Sequence, residues 1–136
     1  MQYLKRGEDV ITPEGEIVAN ELLTVAPPPA RSFAYMTDTL FRERFADYVR
    51  GVDLLYHEAT YMNADAVLAK ESYHSTTGQA ARIAELAGVG KLLLGHFSAR
   101  YTECSELLAE AREVFPNTFL CSDGDLFEVP AVKRRS

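Results

Sequence analysis

The sequence predicts an α/β protein with a mixed sheet and helices on one face, and three observations support this class. Short apolar runs that fit strands alternate with segments whose apolar residues recur at helical spacing. The apolar runs are nearly continuous, which is typical of strands covered on both faces. The predicted helices suffice for one face only, so we expect something else to cover the other. The length suits one domain, which we take as residues 1–136.

The elements before residue 52 are predicted to be short. A turn at residues 13–15 separates two apolar runs and indicates a hairpin. Residues 22–25 and 32–36 fit further strands. Residues 40–50 carry apolar side chains at helical spacing and predict an amphipathic helix that ends at Gly51.

The rest of the chain alternates regularly between strands and helices. The clearest helix starts after Thr76, which has capping-box spacing with Gln79, and it ends at Gly88. The other predicted elements are helices at residues 64–71 and 103–115 and strands at 52–56, 91–94, 118–121 and 126–129.

Composition narrows the classes of function. No apolar run approaches the roughly 20 residues of a membrane helix. The first residues lack the hydrophobic core of a signal peptide. We therefore expect a cytoplasmic protein. The net charge of −6, taken alone, argues against a nucleic-acid partner, because phosphates attract clustered Lys and Arg.

All three histidines lie within residues 53–101, each at a junction between an apolar run and a polar turn. Strand ends are where α/β proteins place chemistry, because side chains there meet in a shared crevice. A single histidine in such a position is often structural. The set is a stronger indication of a site than any member alone.

Two polar clusters follow the predicted strands at 32–36 and 52–56. Asp38 can cap the next helix or supply a hard oxygen ligand to a metal, and both interpretations remain open. His57 and Glu58 are adjacent, so they should point to opposite faces of their strand. Glu58 is suited to orient another histidine, as carboxylate partners do.

The other two histidines flank the clearest helix and the next strand. His74 precedes the capped helix, whose dipole disfavours a positive ring, whereas a nearby carboxylate would favour it. A histidine held between such influences can act as a general acid, and a solvated turn residue is the alternative. His96 follows Gly95, and Arg100 beyond it offers a bidentate fork for phosphate. This pattern fits a metal ligand followed by a phosphate-binding loop.

Three motifs in this order resemble ribonuclease Z, the tRNA 3′-processing endonuclease of the metallo-β-lactamase superfamily. They are HEAT at residues 57–60, HST at 74–76 and HFSARY at 96–101. Asp38, in YMTDT, matches the aspartate of the family's SGDT-type turn. The resemblance runs from about residue 7 to 130 and implies the C-terminal half of an αβ/βα sandwich.

The resemblance also implies a role for each residue of the site. Asp38 would bridge two zinc ions, and His96 would ligate one of them. His74 would be the catalytic histidine, with Glu58 orienting it. Two metals that straddle a phosphodiester can activate a water and stabilise the developing charge. The implied reaction is removal of the 3′ trailer of precursor tRNA.

Further residues of the motifs would bind substrate or support the site. Arg100 and the loop at Ser98 would hold an RNA phosphate. The supporting residues would be His57, Ser75, Thr76 and Tyr101.

Two departures from the family pattern bear on activity. Thr37 stands where the family has glycine before Asp38, and its Cβ can alter that turn. The family's HxHxDH zinc motif and a further upstream histidine do not occur in this sequence. We therefore expect the isolated chain to lack nuclease activity and to associate with a copy of itself or with a missing N-terminal half.

Two other interpretations remain open. The chain can belong to another metallo-β-lactamase-type phosphodiesterase or hydrolase, although HST and the SxRY part of HFSARY favour ribonuclease Z. It can also be a metal-free, inactive fragment that acts only as an assembly module. Asp38 and His96 alone fall short of the three or four ligands that a zinc site requires.

Overall fold

The computed structural model describes residues 2–129. These residues divide into two compact units, with the division between Pro29 and Ala30. The expectation of one domain over residues 1–136 stays a prediction. Within the described residues, no helix has the length and apolar character needed to cross a membrane.

The first unit contains the predicted hairpin. Strand β1 (Val10–Ile11) pairs antiparallel with β2 (Ile17–Val18), which confirms that prediction. The strand predicted at residues 22–25 is wrong, because a short helix, α1 (Asn20–Leu23), occupies its first half and no strand follows. The hydroxyl of Thr24 donates a hydrogen bond to the carbonyl of Asn20, one helical turn earlier, and so supports this turn.

The second unit is built on a four-stranded sheet. Its strands are β3 (Phe33–Met36), β4 (Leu54–Glu58), β5 (Lys91–Gly95) and β6 (Thr118–Leu120), in that spatial order. The α/β class is confirmed, but every pair in this sheet is parallel, so the sheet is not mixed. The strand predicted at residues 126–129 does not form, because the chain turns after β6 and these residues gain no ladder partner.

Helices connect the parallel strands, as predicted. The segment predicted as an amphipathic helix at 40–50 is a 3₁₀ helix whose buried residues, Ala46 and Val49, lie three apart. That spacing places both on one face of a 3₁₀ helix. The helices are α2 (Ala66–Glu71), α3 (Thr77–Ala87), α4 (Ser105–Val114) and the 3₁₀ helix Glu43–Val49.

The core lies between the sheet and these helices. Leu55 and Leu92 of the sheet pack with Ile83 of α3, and all three are almost completely buried. Phe33 and Tyr35 of the edge strand β3 are 55% and 61% exposed. Within the described part of the second unit, the helices leave these two side chains exposed, in agreement with the prediction of helices on one face.

Gly90 enters β5 at a position that leaves no room for a side chain. A Cβ there would lie 2.6 Å from the carbonyl oxygen of Asp53, a backbone atom that cannot rotate away. Gly90→Ala is therefore expected to lower the free energy of unfolding by about 2–3 kcal/mol in urea denaturation. Gly88→Ala is the control, since its Cβ would meet nothing within 4 Å. Its positive φ should cost only about 1 kcal/mol, and equal losses would contradict the steric explanation.

Candidate metal centre

The carboxyl ends of β3, β4 and β5 lie at one edge of the sheet because the strands are parallel. Asp38 comes two residues after β3, Glu58 closes β4, and His96 follows β5 directly. His74 reaches the same edge from the loop between α2 and α3. The fold thus brings together four polar residues that are widely separated in sequence.

Three of these residues form a group that can hold a metal ion. Asp38, His74 and His96 each offer a ligand atom, and these atoms lie within 4.8 Å of one another. Nε2 of His96 is 3.5 Å and Nδ1 of His74 is 3.9 Å from Oδ1 of Asp38. Two imidazoles and a carboxylate are donors that zinc accepts, and three protein ligands with an open position are typical of catalytic zinc. The donor set therefore fits zinc, the metal that the resemblance implied.

The capping interpretation of Asp38 is wrong. The residue at the cap position of the 3₁₀ helix Glu43–Val49 is Arg42. The side chain of Asp38 is 68% exposed and faces both histidines instead.

The backbone is strained at the same edge of the sheet. Among the described residues, the non-glycine positions with positive φ are Asp38 (49°), Tyr73 (61°) and His96 (61°). Two of them are candidate ligands, and the third immediately precedes His74. Such conformations cost about 1–3 kcal/mol each and persist only where the surroundings impose them. Their concentration here is the pattern expected of a functional site.

Glu58 is fully buried beneath this edge and accepts five hydrogen bonds. Its Oε1 accepts from Nδ1 of His74 at 3.0 Å and from the backbone N–H groups of Thr39 and Ser75. Its Oε2 accepts from the backbone N–H and the hydroxyl of Thr60, at 3.0 and 2.7 Å. One carboxylate thus orients the ring of His74 and holds three loop segments.

His57 points away from the site. Its ring is 1% exposed, and Nδ1 lies 2.7 Å from the backbone carbonyl of Glu58, which requires an N–H at that nitrogen. Burial lowers the pKa of His57, so the ring is neutral near neutral pH. His57 therefore supports the core, while its neighbour Glu58 enters the site.

Ser75 and Thr76 hold the loop that carries His74. The hydroxyl of Ser75 donates to the backbone carbonyl of Thr39 at 2.6 Å. Thr76 caps α3 through the predicted capping box, since its hydroxyl accepts from the backbone of Gln79 and its N–H donates to that side chain. Both residues position the loop rather than line the metal group.

Arg100 contacts protein groups in this structure. Its guanidinium lies 3.1 Å from Asp65 and stacks over the ring of Tyr61, 5.5 Å from the centroid. The hydroxyl of Tyr101 donates to Asp65 and accepts from the backbone of Met62 at 2.9 Å. The hydrogen bond from Tyr101 lowers the pKa of Asp65 below its usual value. No motif in the sequence pointed to Asp65 or Tyr61.

A contact between Ser98 and Thr60 connects the first and the last of the three motifs. The backbone N–H of Ser98 donates to the carbonyl of Thr60 at 3.0 Å. The hydroxyl of Thr60 lies 2.8 Å from Nδ1 of His96. The sequence assigned Thr60 no role, although it lies two residues after Glu58, and strand alternation favours the same side for both.

The parallel sheet carries acidic and imidazole side chains at its carboxyl edge, and comparison with known proteins assigns the class of protein. Residues 22–97 match the sequence model of the β-lactamase superfamily domain. The chain belongs to this superfamily.

The resemblance to ribonuclease Z is also confirmed. The chain is 52% identical to ribonuclease Z of Bacteroides fragilis strain YCH46 over 123 residues, which are 90% of this chain and 40% of that enzyme. It is 46% identical to ribonuclease Z of Porphyromonas gingivalis strain W83, over 86% of this chain and 38% of that enzyme. The chain thus spans well under half the length of these relatives.

Two crystal structures have related folds. The metallo-β-lactamase fold protein YhfI from Bacillus subtilis superposes with a TM-score of 0.66 and 26% identity, over 71% of this chain and 39% of that one. The short form of human tRNase Z superposes with a TM-score of 0.57 and 28% identity, over 84% of this chain and 37% of that one.

Proposed function

We propose that this chain provides part of the active site of a zinc-dependent endoribonuclease that removes the 3′ trailer of precursor tRNA. The observation that carries the proposal is the group of Asp38, His74 and His96 at the carboxyl edge of the sheet. The similarity to ribonuclease Z over 90% of the chain supports the substrate. We further propose that the enzyme works in the cytoplasm.

Asp38 and His96 would hold the metal in this proposal, and His74 is close enough to join them. When bound, two zinc ions supply an activated water and neutralise charge on the scissile phosphate. The described residues contain one such group of three ligands, and two ions need more. The remaining ligands would come from the rest of such an enzyme or from a second copy of this chain.

His74 would carry the proton for the leaving 3′-oxygen. Its Nδ1 is held by Glu58 at 3.0 Å, so Nε2 remains for the substrate. A proton on Nε2 makes the ring a cation, and the buried carboxylate is its counter-charge. This arrangement suits a general acid whose orientation is fixed before the substrate binds.

Arg100 would bind an RNA phosphate together with the loop at Ser98. Its side chain is 45% exposed, which leaves part of the guanidinium open beside Asp65. Stacking on the ring of Tyr61 fixes the plane of the guanidinium group. The phosphate would therefore meet a side chain that is already positioned.

The partner that completes the site would be the remaining part of such an enzyme or a second copy of this chain. The exposed aromatic side chains of β3, Phe33 and Tyr35, offer an apolar surface for it. A parallel sheet normally has both faces covered, which favours a partner on this side.

A hybrid enzyme tests the proposal. In it, this chain replaces the matched 123 residues of Bacteroides fragilis ribonuclease Z. We expect the hybrid to cleave precursor tRNA at the 3′ trailer in the presence of zinc, and the isolated chain to show no cleavage. Asp38→Ala should abolish cleavage by the hybrid, whereas Asp47→Ala, at a position 69% exposed, should not.

Two results would contradict this proposal. Robust zinc-dependent cleavage by the isolated chain would show that the chain, alone or with a second copy of itself, completes the site without the rest of such an enzyme. A folded, zinc-loaded hybrid that hydrolyses a simple phosphodiester but leaves precursor tRNA intact would indicate another phosphodiesterase of the superfamily.

A further inference from the structure

Thr60 lies between the buried carboxylate and a candidate metal ligand. Its hydroxyl oxygen is 2.7 Å from Oε2 of Glu58 and 2.8 Å from Nδ1 of His96. Thr60 itself is 6% exposed, whereas the side chain of His96 is 45% exposed, so the hydroxyl side of this contact is the buried one. The hydroxyl has one proton to donate and two lone pairs with which to accept.

The direction of each hydrogen bond follows from the surroundings of Glu58. The carboxylate faces three backbone N–H groups, from Thr39, Thr60 and Ser75, and these groups can only donate. Both oxygens of the side chain therefore serve as hydrogen-bond acceptors. The proton of the Thr60 hydroxyl therefore goes to Glu58. The oxygen lone pairs then face Nδ1 of His96, and that nitrogen must carry a hydrogen.

We propose that Thr60 is a positioning residue that holds His96 in the tautomer protonated at Nδ1. This leaves Nε2, which faces Asp38 at 3.5 Å, with a free lone pair for a metal ion. The metal part of the inference rests on the proposed function, but the tautomer does not.

The consequence is that one carboxylate controls both site histidines. Glu58 contacts Nδ1 of His74 directly and reaches Nδ1 of His96 through the Thr60 hydroxyl. Both rings then present Nε2 as the free nitrogen. Neutral histidine in water favours a hydrogen on Nε2, so this arrangement is imposed by the fold.

Nitrogen NMR of the purified, ¹⁵N-labelled chain tests the inference, because the chain has only three histidines. Long-range ¹H–¹⁵N spectra at a pH where the rings are neutral report which nitrogen carries hydrogen. We expect the Nδ1–H form at His96 in the wild type. The spectrum of Thr60→Val, which keeps the shape but lacks the hydroxyl, should shift His96 toward Nε2–H. Thr60→Ser should restore Nδ1–H.

His57 serves as an internal reference, since its Nδ1–H donates to a backbone carbonyl that these variants do not change. An Nε2–H form of His96 in the wild type would overturn the inference. So would an unchanged Nδ1–H form in folded Thr60→Val. If Thr60→Val does not fold, the spectra of the wild type and of Thr60→Ser still show whether Nδ1 of His96 carries the hydrogen.

Zinc titration of the same samples separates this inference from the proposed function. Where the wild type binds zinc, Thr60→Val should weaken binding about 10-fold or more, and Thr60→Ser only slightly. Absence of zinc binding with the Nδ1–H form intact would count against the metal site alone. Zinc binding with an Nε2–H form at His96 would overturn the role of Thr60 alone.

Discussion

Replacing Glu58 with glutamine is expected to lower the free energy of unfolding by about 2–4 kcal/mol. The five donors around the side chain explain the size of this effect. Glutamine keeps one acceptor oxygen and puts an amide group, which can only donate, in place of the other. Either the donors at Oε1 or those at Oε2 would then face another donor around a fully buried side chain. The variant also loses the charge that strengthens these hydrogen bonds.

Urea denaturation of both proteins measures this difference, and Glu85→Gln is a matched control. Glu85 makes an ion pair with Arg82 on the surface of α3, where its side chain is 47% exposed. Losing that pair should change the free energy of unfolding by less than about 1 kcal/mol. If Glu58→Gln cost no more than this control, Glu58 would not be the structural centre of the site.

Replacing His74 with alanine should reduce cleavage of precursor tRNA by the hybrid enzyme about 10²- to 10⁴-fold. This is the usual contribution of a positioned general acid, and the contact between His74 and Glu58 is the feature that fixes its position. Single-turnover rates isolate the chemical step from product release. Retention of the full cleavage rate by this variant would contradict the assignment.

The zinc content of the same variant distinguishes the two roles that the geometry allows for His74. If His74 acts only as the proton donor, His74→Ala should retain its zinc. If His74 is a ligand, the variant should lose zinc, because the metal loses one of the three ligands in the group. His96→Ala is the comparison, since it should lose zinc in either case.

Much of the fold could be predicted because its signals are local. The capping box of Thr76 and Gln79 and the glycine after Ala87 define α3 within a few residues of chain. The apolar runs likewise predicted β3, β5 and β6 to within one residue of their observed limits, whereas β4 begins and ends two residues later than predicted. Short segments were predicted less well. The strand predicted at residues 22–25 overlaps a helical turn at 20–23, and residues 126–129 pair with no strand among the described residues.

The sequence by itself determined the α/β class, the order of the motifs and the identity of the polar residues at the strand ends. The tertiary structure decided which of them meet. Thr60 and His96 are 36 residues apart, as are Asp65 and Tyr101. Their contacts arise because neighbouring parallel strands end at one edge of the sheet, and sequence spacing alone does not encode that distance. The direction of the Thr60 hydrogen bonds likewise follows only from the donors that folding places around Glu58.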